Sequence, residues 1–272
     1  MASRAARRTD RPLPLPALAL AAIAIAFFAL PLAGLISRAP WSDAVSILRT
    51  KAVGQALRLS IVCSLCATAF SAVLGLPLAW LLARRRFVGR SVVRALCTLS
   101  MVLPPVVGGV ALLFALGRHG LVGQWLDRWF DVQLPFSSAG VVVAQTFVAM
   151  PFFIVTVEAA IRQADPGHDD AARTLGASSW YSFRRVTLPA IRSALVAGAV
   201  LSWARAFGEF GATIMFAGSF PGKTETLPLV IYLTLDTNQN QAMVLALLMV
   251  AVSFGVLIAL RDRWLGGGEL TT

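Results

Sequence analysis

Two ionisable side chains lie inside an apolar stretch in the C-terminal half of the sequence. Arg205 and Glu209 are four residues apart, so a helix would place both on one face. Charged groups in apolar surroundings are costly and usually pair or serve a function. Two interpretations follow from the residue types: Arg205 attracts an anion, or Glu209 neutralises Arg205 in a structural ion pair.

Other residues capable of chemistry are scattered. His119 and His168 fall in separate loops, and no carboxylates cluster in an apolar stretch. Cys63 and Cys66 have the C-x-x-C spacing, but inside an apolar helix they are interpreted as small buried residues. Residues 218–224 imitate a phosphate-binding loop, yet the pattern is one residue short and follows no soluble strand. The sequence therefore predicts no catalytic residue, no metal site and no nucleotide site in this chain.

The composition identifies the class of protein. Of 272 residues, 57% are hydrophobic and 14% are charged, which is too apolar for a soluble domain. The net charge of +11 could suggest nucleic acid, but the basic residues lie between apolar runs and form no aromatic-interleaved patch. The chain is predicted to be an integral membrane protein with lipid, and no nucleic acid, among its partners.

Six apolar runs are long enough to cross a membrane. The first could be a signal peptide, but its length and the runs that follow favour a retained helix. Pro104 and Pro105 interrupt the third run, which is read either as a kinked helix beside a pathway or as a helix that starts after Pro105. The loop after it resembles an interfacial helix with an aromatic belt. The predicted spans are 12–37, 59–83, 95–116, 139–157, 190–217 and 241–260.

The distribution of basic residues predicts the orientation. With both termini in the cytoplasm, 16 Lys and Arg lie on the cytoplasmic side and six on the other. We therefore expect a cytoplasmic N-terminal tail at 1–14, a six-helix transmembrane domain at 15–264 and a C-terminal tail at 265–272.

A polar segment at residues 165–189 separates the fourth and fifth spans. Asp165 can cap a helix that begins with Pro166, and Gly176 can end that helix. Ser178 or Ser179 can then cap a second helix before the next span restarts at Pro189. The pattern predicts a cytoplasmic helix-turn-helix that suits insertion into a groove of a soluble partner.

This segment resembles the EAA motif of permease subunits of ATP-binding-cassette importers. The family pattern is Glu-Ala-Ala, three residues, Gly, nine residues, then Ile-x-Leu-Pro, and the chain departs from it only in Asp170 for Glu and Val186 for Ile. Glu158-Ala159-Ala160 has the same letters but lacks the following elements, so it is read as a decoy. The residues that the resemblance implies for coupling to the ATPase are Asp170, Ala171, Ala172, Gly176, Leu188 and Pro189.

Residues 205–213 and 221–232 carry a second resemblance, to the molybdate/tungstate branch of these permeases. Sulfate/thiosulfate permeases typically have Gly-Glu-Tyr-Gly-Ser where this chain has Gly-Glu-Phe-Gly-Ala at 208–212. In this family, we favour the interpretation that Glu209 neutralises Arg205 in a structural ion pair, because the pathway of an importer should not hold its anion tightly. Gly208, Gly211, Ala212 and Thr213 are expected to give either close helix approach or a narrow polar lining. Thr213 and the neighbouring backbone are expected to line the gate. The expected pathway residues are Arg205, Gly208, Glu209, Gly211 and Thr213.

Together the resemblances imply an all-α polytopic membrane protein with six transmembrane helices and a cytoplasmic helix-turn-helix coupling segment. They imply a homodimer in the bacterial cytoplasmic (inner) membrane, two cassette ATPase subunits that use ATP, and an extracytoplasmic oxyanion-binding protein. The chain itself would bind no cofactor and would not be an enzyme. Two alternatives remain open: a sulfate/thiosulfate permease of the same class, and an intramembrane enzyme acting on lipid or peptide.

Overall fold

A computed structural model describes residues 14–165, 167, 171–172 and 174–265, with side chains through residue 259. The predicted tails lie almost wholly outside this range, and so do Pro166 and Asp170. Every regular element in the described residues is a helix. The helices are α1 Leu15–Arg38, α2 Trp41–Leu48, α3 Lys51–Arg84, α4 Arg90–Val102, α5 Pro105–Leu116, α6 Gly123–Phe130, α7 Ser138–Gln163, α8 Ser179–Ala190, α9 Arg192–Phe207, α10 Gly211–Ala217, α11 Leu227–Thr234 and α12 Gln239–Leu265.

The all-helical, membrane-spanning fold class is confirmed. Among the described residues, α1, α3, α7 and α12 are each long and apolar enough to cross a membrane, and α8 with α9 forms a bent fifth candidate. The third predicted span consists of two shorter helices, α4 and α5. Helix α3 begins at Lys51 rather than Leu59, and its 34 residues rise about 51 Å, so it extends beyond a hydrocarbon core of about 30 Å.

Helix α7 lies at the centre of the protein. It packs along α3 on one side and along α9 on the other, and it is the most buried of the spans. Ala67, Ala149 and Ala206, one from each of these helices, meet in a single cluster and are fully buried. Small side chains let helices approach closely, which is how helices associate in a membrane.

Consecutive prolines separate α4 from α5. Leu103 and Pro104 both precede a proline and both adopt extended backbone, with ψ of 134° and 132°. A residue before proline is pushed out of the helical region, so α4 has to end here, and Pro105 can begin α5 because its missing N–H has no intrahelical acceptor at that position. Both features of the sequence interpretation occur together: the run is interrupted, and a new helix starts at Pro105.

A short helix, α6, lies where an interfacial helix is predicted after the third run. Trp125 and Trp129 are exposed on it, with their ring centroids 5.2 Å apart. Asp127 accepts a hydrogen bond of 2.8 Å from Gln133 and forms a 3.2 Å ion pair with Arg118. The hydrogen bond from Gln133, followed by that from Arg118, holds the pKa of Asp127 below its usual value. These contacts fix the fold of the loop between α5 and α7.

Candidate functional site

The first half of the coupling segment has the predicted helix ends. Asp165 Oδ1 accepts a hydrogen bond of 2.8 Å from the Gly167 N–H, which caps the start of the helix. At the other end, Gly176 has φ of +86°, and the Ala177 N–H donates to the Ala172 carbonyl at 3.0 Å. This six-residue closure over a left-handed glycine is a Schellman cap, which satisfies carbonyls that the helix leaves open. The residue types that identified the segment in the sequence therefore make the bonds expected of them.

The second half departs from the prediction at Pro189. Ser178 caps α8 by accepting a hydrogen bond of 3.2 Å from the Tyr181 N–H, as expected. However, α8 runs through Leu188 and Pro189 to Ala190, and the chain bends by 72° before α9 begins at Arg192. Pro189 has no N–H to donate, and a π-helical turn at Phe183–Thr187 precedes it, with the Leu188 N–H reaching the Phe183 carbonyl. Pro189 therefore lies inside a helix and does not restart the span.

The turn between the two halves projects from the chain. Ala171 and Gly176 are exposed, and Ala172 is half-buried. A Cβ placed on Gly176 would meet no atom within 4 Å in the described residues. Leu175 beside it is 89% exposed, although leucines are usually buried. Sequence reasoning missed Leu175. The signal that could have identified it is an apolar residue at the tip of a polar turn. An uncovered apolar tip of this kind suits insertion into a partner.

The fifth predicted span is not one helix, and this changes the surroundings of Arg205 and Glu209. Helix α9 ends at Phe207 and α10 begins at Gly211, so Glu209 lies in the break between them. Glu209 is fully buried, and its Oε2 lies 2.5 Å from Arg205 Nη1. Its Oε1 accepts a hydrogen bond of 2.8 Å from the Ala212 N–H at the start of α10. Glu209 thus neutralises Arg205 and caps the second helix, which supports the structural-pair interpretation.

The other expected pathway residues divide into two groups by burial. Gly208 is exposed, and the side chain of Arg205 is 26% exposed. Gly211 and Thr213, like Glu209, are buried within the single chain. The Thr213 side chain has no accessible surface in the single chain, and the expectation that it lines the gate stays a prediction. Its buried Oγ1 has no hydrogen-bond partner among the described residues.

Gly211 permits close contact between two helices. A Cβ on Gly211 would lie 2.9 Å from Pro105 Cβ, and one on Gly109 would lie 2.8 Å from the Ala212 carbonyl oxygen. Real Cβ atoms do not approach other atoms so closely, so glycine is required at both positions. Helices α5 and α10 are thereby held together immediately after their respective breaks.

Glu158, which the sequence analysis set aside as a decoy, is the centre of an ion-pair cluster. Its side chain is 8% exposed and pairs with Arg94 of α4 and, at 2.8 Å, with Arg162 of α7. Arg90 of α4 donates to the Leu82 carbonyl near the end of α3. Glu158 is not part of the motif, but it joins α4 to α7 at the membrane face nearest the coupling segment. One sequence signal was its i,i+4 spacing from Arg162.

Comparison with known proteins gives the family. Residues 75–266 match the family model described as "Binding-protein-dependent transport system inner membrane component". The chain is 43% identical over 239 residues to the molybdenum transport system permease protein ModB of Mycobacterium bovis, covering 87% of this chain and 89% of that one. It is 35% identical over 235 residues to the sulfate transport system permease protein CysT of Escherichia coli, covering 85% and 84%.

The fold has a close counterpart among solved structures. A chain of a bacterial ABC transporter involved in the import of the polysaccharide alginate superimposes with a TM-score of 0.76, covering 94% of this chain and 96% of that one. The two sequences are only 17% identical, so this likeness concerns the fold alone. The family match, the relatives and the fold agree: the chain belongs to the binding-protein-dependent transport system inner membrane components, the multi-pass permease subunits of bacterial ATP-binding-cassette importers.

Proposed function

We propose that this chain is the permease subunit of an importer for molybdate and the chemically similar tungstate. The observation that carries the proposal is its 43% identity to a molybdenum transport permease along 87% of the chain. Two copies would form the pathway between them, with both termini in the cytoplasm. An extracytoplasmic binding protein would deliver the oxyanion, and two ATPase subunits would hydrolyse ATP.

The coupling segment supports these separate roles for the permease and the ATPase. Its tip is uncovered in the single chain, and side-chain and glycine caps lie at the described ends of its helices, as a docking segment requires. We assign contact with the ATPase to Ala171, Ala172 and Gly176, together with Asp170, which lies outside the described residues. Leu188 and Pro189 connect this contact to the 72° bend before α9. Closure of the ATPase pair would thus move α9 directly.

The break between α9 and α10 is our candidate for the moving part of the pathway. Arg205 and Gly208 are accessible there, whereas Glu209 and Gly211 hold the break from inside the protein. Because Glu209 already neutralises Arg205, the site would present little net charge to a passing anion. A weakly attractive site lets the oxyanion enter and leave, as alternating access requires.

Sulfate is the second candidate cargo, because the chain is also 35% identical to a sulfate permease over a similar length. Molybdate and sulfate are both tetrahedral dianions, so the permease has little chemistry with which to separate them. We therefore expect the choice to depend mainly on the binding protein.

The test uses the full complex of permease, ATPase and binding protein in proteoliposomes. ATP hydrolysis and oxyanion uptake are measured with the binding protein loaded in turn with molybdate, tungstate or sulfate. Stimulation by molybdate and tungstate, but not sulfate, supports the proposal. Stimulation by sulfate alone would identify sulfate as the cargo. An assembled complex that responds to none of the three refutes the oxyanion assignment.

A further inference from the structure

An apolar cleft lies between α3 and α8, beside the coupling segment. Its volume is about 350 Å³, and its walls include Leu76, Pro77 and Trp80 of α3 with Trp180 and Phe183 of α8. Trp180 is 68% exposed. The cleft is thus a lined groove on the surface of the single chain and not an internal void.

Aromatic rings form an ordered wall along this cleft. The Phe183 ring stacks on Trp180 with centroids 5.8 Å apart, and it meets Trp80 edge-on at 5.9 Å. Helix α8 is bent by 72° from α9, so it runs across the direction of that span. Tryptophan rings on a helix that crosses a span in this way are typical of the boundary between hydrocarbon and headgroups.

Positive charge lies at one edge of the same cleft. The guanidinium of Arg85 lies 5.9 Å from the centroid of the Trp80 ring. Arg86 follows Arg85 in the sequence, and Arg184 and Arg185 follow Phe183 of the cleft wall. All three are exposed. Within the described part of the chain, none of these four arginines pairs with a carboxylate. An apolar groove with unneutralised arginines at its edge has the complementary chemistry of an anionic lipid.

We propose that this cleft binds one anionic phospholipid. An acyl chain would lie against Leu76, Pro77 and the aromatic rings, and the phosphate of the headgroup would contact Arg85 and Arg184. Bound lipid would then bridge α3 and the helix that leads from the coupling segment into the membrane. The proposal rests on the membrane location of the chain and not on which oxyanion it transports, so the two can fail independently.

The experiment compares lipid binding to the complete permease–ATPase complex. The complex is extracted from bilayers containing equal amounts of phosphatidylglycerol and phosphatidylcholine, and the retained lipids are counted by native mass spectrometry. Wild type should retain phosphatidylglycerol preferentially. R85Q should weaken this retention about fivefold, and adding R184Q should weaken it about fivefold again, as expected for one charge each near a membrane surface.

Arg128 provides a matched control. Its guanidinium also lies 5.9 Å from a tryptophan ring, that of Trp125, but in the loop between α5 and α7. R128Q should leave lipid retention unchanged. Val73 lines the cleft and is 69% exposed, so V73W should fill the cleft and reduce retention without disturbing the core.

Quenching of tryptophan fluorescence locates the lipid. Brominated phosphatidylglycerol should quench the wild-type complex more than W180F, because Trp180 would contact the acyl chain. Equal quenching would show that the lipid does not contact Trp180, and it would overturn the proposal. Equal retention of the two lipids by wild type, or equal effects of R85Q and R128Q, would overturn it as well.

Discussion

Replacing Glu209 by glutamine separates its two roles in the break between α9 and α10. Glutamine keeps a side-chain oxygen that can accept the hydrogen bond from the Ala212 N–H. It removes the negative charge that lies 2.5 Å from Arg205. The variant therefore leaves a cation, 26% exposed, without its counter-charge.

The expected loss follows from this burial. Removing one partner of a buried ion pair costs about 3–5 kcal/mol, and partial exposure of Arg205 favours the lower end, about 3 kcal/mol. Glu209→Ala also removes the helix cap, which adds about 1 kcal/mol. The double variant R205Q/E209Q replaces the pair by two neutral amides and should return to within about 1 kcal/mol of wild type.

Thermal unfolding of the purified permease in detergent measures these losses of stability and ranks the variants. At about 2–4 °C per kcal/mol for a chain of this size, E209Q should lower the apparent Tm by about 6–12 °C, and the double variant should recover most of that loss. If E209Q is as stable as wild type, the ion pair is not structural. If R205Q/E209Q is less stable than E209Q, neutralisation of Arg205 is not what Glu209 provides.

Three further predictions concern the coupling segment and the helix contacts. G176V places a β-branched residue at φ of +86° and should lower the oxyanion uptake per ATP hydrolysed. Asparagine tolerates this backbone, so G176N should retain most of that uptake. Equal coupling in both variants would contradict the assignment. G109A should destabilise the fold by about 1–3 kcal/mol, since the new Cβ would press on the Ala212 backbone. Gly54 has open space around it, so the stability of the control G54A should stay within about 1 kcal/mol of wild type. The Tm of each variant measures the difference. E158Q should cost about 1–2 kcal/mol, because its two arginine partners reach solvent; an unchanged Tm would show that the cluster is not stabilising.

Local signals in the coupling segment could be read from the sequence because each acts over a few residues. Asp165, Gly176 and Ser178 form caps with neighbours two to five positions away, so residue type and spacing determine the bond. The break at Pro104 was equally readable, since two prolines exclude helix on steric grounds.

Features that depend on tertiary packing were not readable. The sequence around Gly208 is apolar and has no proline, so it suggested one continuous helix. At the break, the buried Glu209 carboxylate takes the place of a backbone acceptor for the Ala212 N–H, and the burial that allows this depends on tertiary packing. Glu158 was set aside because it lacks the rest of the motif, and its role as an ion-pair centre was not readable because its partner Arg94 is 64 residues away in the chain. Burial of Thr213 likewise follows from packing of α10 and not from its residue type.

The contact between α5 and α10 has a mechanical consequence. Each helix starts just after a backbone break, and the two starting points touch, since Gly211 lies against Pro105. The pair can therefore rotate as one lever about two adjacent joints, with torsional change confined to a few residues. Helix α10 also packs on α7, since Phe216 and Ala144 share a buried cluster. Rotation of this lever would therefore repack that cluster while the alanine contacts among α3, α7 and α9 stay intact.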